Sequence, residues 1–175
     1  MKRILVIGSS GAGKSTFAGR LGEATGLKIV HLDQLFWKPN WVEPTKEEWR
    51  ETVEEVLQNE AWIIDGNYSG TLDLRIQRAD TVIFLDFPPT ICVWRILKRV
   101  AFYHKGKRPD MAAGCDERFD WDFVKWTWNY PKRSKPKVKS LLKSYQDKLK
   151  IIRLVSNREV EAFFVNLKSN RVKSF

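Results

Sequence analysis

Short apolar runs, separated by segments of helical periodicity, set the frame of the chain. Ile4-Leu5-Val6-Ile7, Leu27-Lys28-Ile29-Val30, Ala61-Trp62-Ile63-Ile64, Thr81-Val82-Ile83-Phe84-Leu85 and Ile151-Ile152-Arg153-Leu154-Val155 are brief and rich in β-branched or aromatic residues. Such runs read as strands covered on both faces in a parallel sheet. Between them, Trp49, Val53, Val56 and Leu57 recur at helical spacing and predict a helix over about 45–60, opened by the reciprocal cap of Thr45 and Glu48. Leu72–Arg78 reads as a short helix. After Pro88-Pro89 comes a longer one, whose Ile91, Trp94, Leu97 and Ala101 are expected to bury one face. Trp121, Val124 and Trp128 mark another helix, and Val138, Leu141, Leu142, Tyr145 and Leu149 a further one. Ser156 with Glu159 caps a last helix carrying Val160, Phe163, Phe164 and Leu167. The alternation predicts an α/β protein with helices packed on a parallel sheet.

The junction after the first strand carries the chemistry. Gly8-Ser9-Ser10-Gly11-Ala12-Gly13-Lys14-Ser15-Thr16 follows the strand and runs into Phe17-Ala18-Gly19-Arg20-Leu21, which reads as a helix. The glycines let main-chain N–H groups turn toward an anion, Lys14 reaches outer phosphates, and the Ser15 hydroxyl completes a magnesium shell. The whole nine-residue stretch is therefore expected to bind nucleotide, with ATP and Mg2+ as the ligands.

Acidic residues at other strand ends fall on the same rim, where open α/β sheets bind ligands. Asp33, after His31-Leu32, is placed to orient magnesium through water or to take a proton from an attacking hydroxyl. Asp65, ending the third strand, suits metal support opposite Ser15. Gly66, Asn67, Tyr68 and Arg75 follow it as acceptor-binding candidates. Leu35-Phe36-Trp37-Lys38-Pro39-Asn40-Trp41 offers a rigid aromatic wall or simple packing. Asp86 reads as structural, and Ser156, Asn157 and Arg158 as residues near a nucleotide base.

From about 103 to 136 the chain turns polar and basic, then aromatic. An insertion there is expected to act as a lid that excludes water and brings Arg99, Arg108 and Arg118 to developing charge. Pro131-Lys132-Arg133-Ser134-Lys135-Pro136-Lys137-Val138-Lys139, preceded by Trp126, Trp128 and Tyr130, also suits single-stranded nucleic acid.

At 175 residues the chain is the size of one domain, 1–175 including the lid. Lys and Arg outnumber Asp and Glu by 31 to 21, a net +10, which favours polyanionic partners without choosing among them. The two cysteines, Cys92 and Cys115, suggest no disulfide or metal framework, and no run is long enough to span a bilayer. A cytoplasmic location with no membrane partner is the expectation. Oligomeric state is left open, since the aromatic residues suit an interface and a core alike.

The phosphate loop, His31-Leu32-Asp33-Gln34-Leu35-Phe36-Trp37, Trp62-Ile63-Ile64-Asp65-Gly66-Asn67-Tyr68 and Ala79-Asp80-Thr81-Val82-Ile83-Phe84-Leu85-Asp86 together resemble the bacterial DNA topology modulation proteins. Glu117-Arg118-Phe119-Asp120 and Trp126-Thr127-Trp128-Asn129-Tyr130-Pro131 extend the resemblance over nearly the whole chain. That group is similar to adenylate kinase and other small P-loop kinases. The resemblance implies a five-stranded parallel sheet in order 2-3-1-4-5, helices on both faces, a mobile lid, and a phosphate role for Arg99. In adenylate kinases an acceptor-binding arginine follows the Asp-Gly pair. Here Asn67-Tyr68-Ser69 stands instead, so the acceptor need not be AMP. The expected activity is transfer of the ATP γ-phosphoryl group to a nucleotide, nucleoside or other small hydroxyl-bearing acceptor, with Lys14, Asp33, Arg99 and Arg118 catalytic and Ser15 and Asp65 at the metal. The alternative is a nucleic-acid-associated ATP-binding or ATPase protein acting on DNA topology.

Overall fold

The computed structural model describes residues 1–102, 110–115 and 118–172, with side chains described to 169. Arg108 lies outside the described residues. Strands β1 (Arg3–Gly8), β2 (Ile29–His31), β3 (Trp62–Asp65), β4 (Thr81–Leu85) and β5 (Lys150–Leu154) form one parallel sheet in the order β2-β3-β1-β4-β5. The order is the one implied by the family resemblance. The central strand β1 pairs with β3 on one side, Val6 opposite Asp65, and with β4 on the other, Val6 opposite Ile83.

Strand alternation sends successive side chains to opposite faces. Leu5, Ile7, Ile64, Val82 and Phe84 pack against α3 (Lys46–Leu57), α4 (Leu72–Arg78) and α8 (Lys135–Ser144). Ile4, Val6, Ile63, Ile83 and Leu85 pack against α1 (Lys14–Thr25) and α9 (Asn157–Val172). On that second face Phe17 meets Phe163 and Phe164 at ring distances of 5.4 and 4.9 Å. Such pairs contribute about 0.5–1.5 kcal/mol each beyond simple burial.

The 45–60 helix is α3, shorter at its end, and both halves of the Thr45–Glu48 capping box are formed. Short elements that hold too few residues to show a period complete the structure: α2 (Leu32–Phe36), a tight turn at Pro39–Trp41, and α7 (Tyr130–Arg133). Gly26, in left-handed conformation, closes α1 and delays β2 by two residues relative to the apolar run.

Two helix faces differ from expectation. In α5 (Pro89–Phe102) the buried residues are Cys92 and Ile96, whereas Trp94 is 65% exposed and Ile91 and Leu97 also face outward. The phosphate loop sets this rotation: a Cβ on Gly11 would collide with the Cys92 carbonyl, and Arg95 bonds Ala12. In α6 (Trp121–Trp128) Val124 and Thr127 are buried, while Trp121 and Trp128 are exposed. Asp86 is structural as expected, buried between Lys135 and Arg153 at 2.7 Å from each.

Candidate functional site

A cavity of about 1680 Å³ opens along the carboxyl edge of the sheet. One end is the loop between β1 and α1. Gly11 and Gly13 adopt φ of 72° and 90°, a region costly to residues with a Cβ. Gly13 caps α1 without any side-chain hydrogen bond, and the first turn carries no acidic residue. The opening N–H groups of this helix are thus left for an anion. Lys14 donates to the Ser9 carbonyl at 3.1 Å. Its pKa is pulled down by burial, against the opposing charges of Asp33 and Asp65, with Arg99 adding to the lowering.

Arg95 braces this loop from α5. Nη1 donates to the Ala12 carbonyl at 2.9 Å, Nη2 donates to Asn157 Oδ1 at 2.6 Å, and the guanidinium lies 4.5 Å from the Phe87 ring centre. Arg95 precedes Arg99 by one helical turn and therefore shares its face, the one signal of its place in the sequence.

The ends of β2 and β3 supply the carboxylates. His31 and Asp65 are register partners, and His31 Nδ1 lies 2.9 Å from Asp65 Oδ1. This contact raises the His31 pKa, with burial opposing. His31 faces the cavity while Asp65 sits behind it, 3% exposed, with Oδ2 buried and without a hydrogen-bond partner. An orphaned carboxylate oxygen is costly unless a cation or ordered water meets it. Among the described residues no cluster of three or more His, Cys, Asp or Glu would hold a metal alone. The unpartnered Asp65 Oδ2 and the Ser15 hydroxyl are oxygen donors of the kind magnesium takes, with phosphate oxygens and water as its further ligands.

Asp33 lines the same cavity, close enough to Lys14 for its charge to oppose the effect of burial there. Tyr68 donates its hydroxyl to Asp33 Oδ1 at 2.6 Å. Burial, then the Asp33 charge, raises the Tyr68 pKa far above its ordinary value, so the phenol remains a donor. Phe36, Trp37 and Trp41 form an aromatic wall beside it, with Phe36 and Tyr68 ring centres 4.5 Å apart and Trp37 and Trp41 5.2 Å apart. Asn40 and Trp41 both have φ of 63°, an unusual conformation for a tryptophan. The turn is tied to the segment at 114–115: Asn40 N–H donates to the Gly114 carbonyl at 3.0 Å, and the Cys115 thiol donates to the Lys38 carbonyl at 3.3 Å. Arg118 lies 5.6 Å from the Trp41 ring centre.

The cavity thus gathers Ser10 through Thr16, Asp33, Asn67, Tyr68, Arg99 and Arg118 from the expected set. Gly8, Ser9, Asp65 and Gly66 stand behind that lining. Gly66, at φ 135°, has the Leu32 side chain where a Cβ would go, so its role is to let β3 pack closely. Arg75 departs from its expected role. It is fully buried, and its guanidinium donates to the carbonyls of Gly66, Asn67, Tyr68 and Thr71, so it faces the loop's main chain instead of the acceptor. Arg133 and Lys137 also line the cavity, and Arg133 stacks on Trp126 at 4.1 Å. The basic run signalled these two without indicating which way they face.

A glycine-rich loop at a helix N-terminus, facing strand-end carboxylates across one cavity, defines a P-loop nucleotide-binding core with the topology of the small kinases. The family described as the AAA domain matches residues 4–113, and the chain belongs to that family. No curated protein matches it by sequence comparison. Among solved structures it is similar to a shikimate kinase from Acinetobacter baumannii in complex with shikimate, at 15% identity and TM-score 0.64, covering 97% of this chain and 94% of that one. It is also similar to a sugar kinase from a Janibacter species, at 17% identity and TM-score 0.56, covering 97% and 95%. A deoxyadenosine kinase from M. mycoides with bound dATP matches at 15% identity and TM-score 0.52, covering 96% and 100%. At these identities the likeness is one of fold.

Proposed function

We propose that this protein is an ATP-dependent kinase of a small hydroxyl-bearing acceptor: a nucleotide, a nucleoside or a cyclic alcohol. The observation that carries this reading is that one cavity is lined both by the phosphate loop and by Asp33, which accepts a hydrogen bond from Tyr68. Gly11, Gly13 and the first turn of α1 hold the phosphates, and Lys14 neutralises their charge. Ser15, with Asp65 behind His31, would hold magnesium, which supplies charge neutralisation at the phosphates. Asp33 orients the acceptor hydroxyl and accepts its proton. Arg99 and Arg118 line the same space and stabilise the charge that spreads over the transferred group. No covalent enzyme intermediate is required, since positioning and electrostatics suffice for phosphoryl transfer. The lid of the single domain is proposed at the described residues of the 103–136 stretch, 110–115 and 118–136; 103–109 and 116–117 lie outside the described residues. The similar folds named above act, by their names, on shikimate, a sugar and deoxyadenosine, which supports a compact cyclic acceptor against the aromatic wall.

A second reading, nucleic-acid-dependent ATP binding or hydrolysis, draws on the resemblance to DNA topology modulation proteins and on the exposed Trp121 and Trp128, with Lys125 lying 5.9 Å from the Trp121 ring centre. The orientation of the basic run weighs against it. Lys135 pairs with Asp86, and Arg133 and Lys137 line the cavity, so these three cations of the run are engaged at or beside the site.

Among the described residues no helix is long and apolar enough to cross a membrane. Cys92 and Cys115 are both buried free thiols, which fits a reducing cytoplasm.

The test is magnesium-dependent transfer of labelled γ-phosphate to a panel of nucleoside monophosphates, nucleosides and cyclic alcohols, run beside ATP hydrolysis with and without single-stranded DNA. A labelled small molecule supports the kinase. Label released only as inorganic phosphate, and only with DNA present, supports the second reading.

A further inference from the structure

Arg75 is a fully buried cation whose hydrogen bonds go to main chain. Nε donates to the Thr71 carbonyl at 3.3 Å, Nη1 to Gly66 at 3.0 Å, and Nη2 to Asn67 at 3.0 Å and Tyr68 at 2.7 Å. One rigid fork thus gathers four carbonyls of the irregular loop leaving β3. Burial lowers its pKa to about 10, which keeps the guanidinium charged at neutral pH. Burying a charge is costly, and an apolar residue of similar size would avoid that cost while abandoning the carbonyls.

The side chains of the clamped loop touch both the phosphate loop and Asp33. Asn67 Oδ1 accepts from the N–H of Gly8, the first residue of the phosphate loop, at 3.3 Å. Tyr68 donates to Asp33 at 2.6 Å. The guanidinium lies directly behind the short stretch of chain that carries both contacts.

We propose that Arg75 is a positioning residue for phosphoryl transfer. By holding the carbonyls of Gly66, Asn67, Tyr68 and Thr71, it sets the Tyr68 hydroxyl on Asp33 and the Asn67 amide on Gly8. It thereby fixes the acceptor carboxylate relative to the phosphate loop. This rests on the kinase reading of the same cavity. Lysine cannot substitute, because one ammonium lacks the planar fork that reaches carbonyls on several sides.

The experiment compares wild type, Arg75→Lys, Tyr68→Phe and the double variant. The measurements are thermal melting, kcat, KM for MgATP and for the acceptor found in the panel above, and the proton NMR signal of the hydroxyl that Tyr68→Phe removes. Arg75→Lys is expected to lower kcat about tenfold or more, as misplacement of reacting groups does, with KM for MgATP nearly unchanged. The hydroxyl signal is expected to shift or vanish. In the Tyr68→Phe background the same change is expected to cost much less, because the two residues act through one contact.

A lowered melting temperature with kcat and the hydroxyl signal both unchanged makes Arg75 merely structural and overturns the inference. If Arg75→Lys does not fold, Tyr68→Phe decides: unchanged kcat there overturns it as well. Wild-type protein that transfers to no acceptor overturns the kinase reading together with this role. Wild-type transfer that survives both variants overturns this role alone.

Discussion

His31 and Asp65 face each other across the ends of β2 and β3, in register and 2.9 Å apart. The pairing places an imidazole between the cavity and the carboxylate expected to support magnesium. The hydrogen bond to Asp65 lifts the His31 pKa above its ordinary 6.5, more than burial lowers it. In the unfolded chain the ring titrates near the ordinary value, so the pair's contribution to stability is complete below that pH. It is lost as pH rises through the higher folded-state pKa. An NMR titration of the ring protons without magnesium is expected to place His31 above 6.5, and Asp65→Asn to bring it down. His31→Asn should flatten the stability profile above that pH.

Gly11→Ala should disrupt the phosphate loop. The position has φ of 72° and no room, because the new methyl would meet the Cys92 carbonyl of α5. The conformation alone costs about 1–2 kcal/mol, and relieving the contact requires α5 to move. The expected result is a lower melting temperature together with weakened ATP binding, measured by calorimetry.

On the proposed function, Asp33→Asn keeps the shape of the site and removes the base. A loss of roughly 10²–10⁴-fold in kcat is expected, the usual range for general base catalysis, with ATP affinity largely retained. Steady-state kinetics with the labelled acceptor checks this.

Thr45→Ala serves as a stability change away from the chemistry. Its hydroxyl accepts from the Glu48 N–H at 3.2 Å, and Glu48 returns the bond to the Thr45 N–H at 2.9 Å. Losing the cap should cost about 1 kcal/mol, read as a shift in the denaturation midpoint, with phosphoryl transfer unaltered.

The strands and the phosphate loop were legible in the sequence because their signals are local. Ile4–Ile7 is apolar throughout since both faces are covered, and the glycine spacing answers a backbone requirement. The Thr45–Glu48 cap is likewise a short-range pattern. The rotation of α5 was not legible, because residues 91, 94 and 97 form one apolar stripe and residues 92 and 96 another. The choice between them depends on docking against Gly11 from a distant part of the chain. Arg75 shows the same limit. Nothing about an arginine on a short helix reveals that a preceding loop will present four carbonyls to it. Asp33 is singled out in the sequence by its place just after a strand and falls in the first turn of α2, whereas its bond from Tyr68, 35 residues away, emerges only from the fold.

The central claim is that the loop at Gly8–Thr16 delivers a phosphoryl group to an acceptor at Asp33. Transfer of γ-phosphate by wild type and by Lys14→Ala tests it most directly. Among the described residues the Lys14 ammonium makes one hydrogen bond, to the Ser9 carbonyl, so its replacement should leave the fold intact. A labelled acceptor in wild type and a fall of roughly 10²–10³-fold in the variant, the scale of losing one electrostatic stabiliser, is the expected result. Equal labelling by wild type and a folded Lys14→Ala variant would contradict the claim.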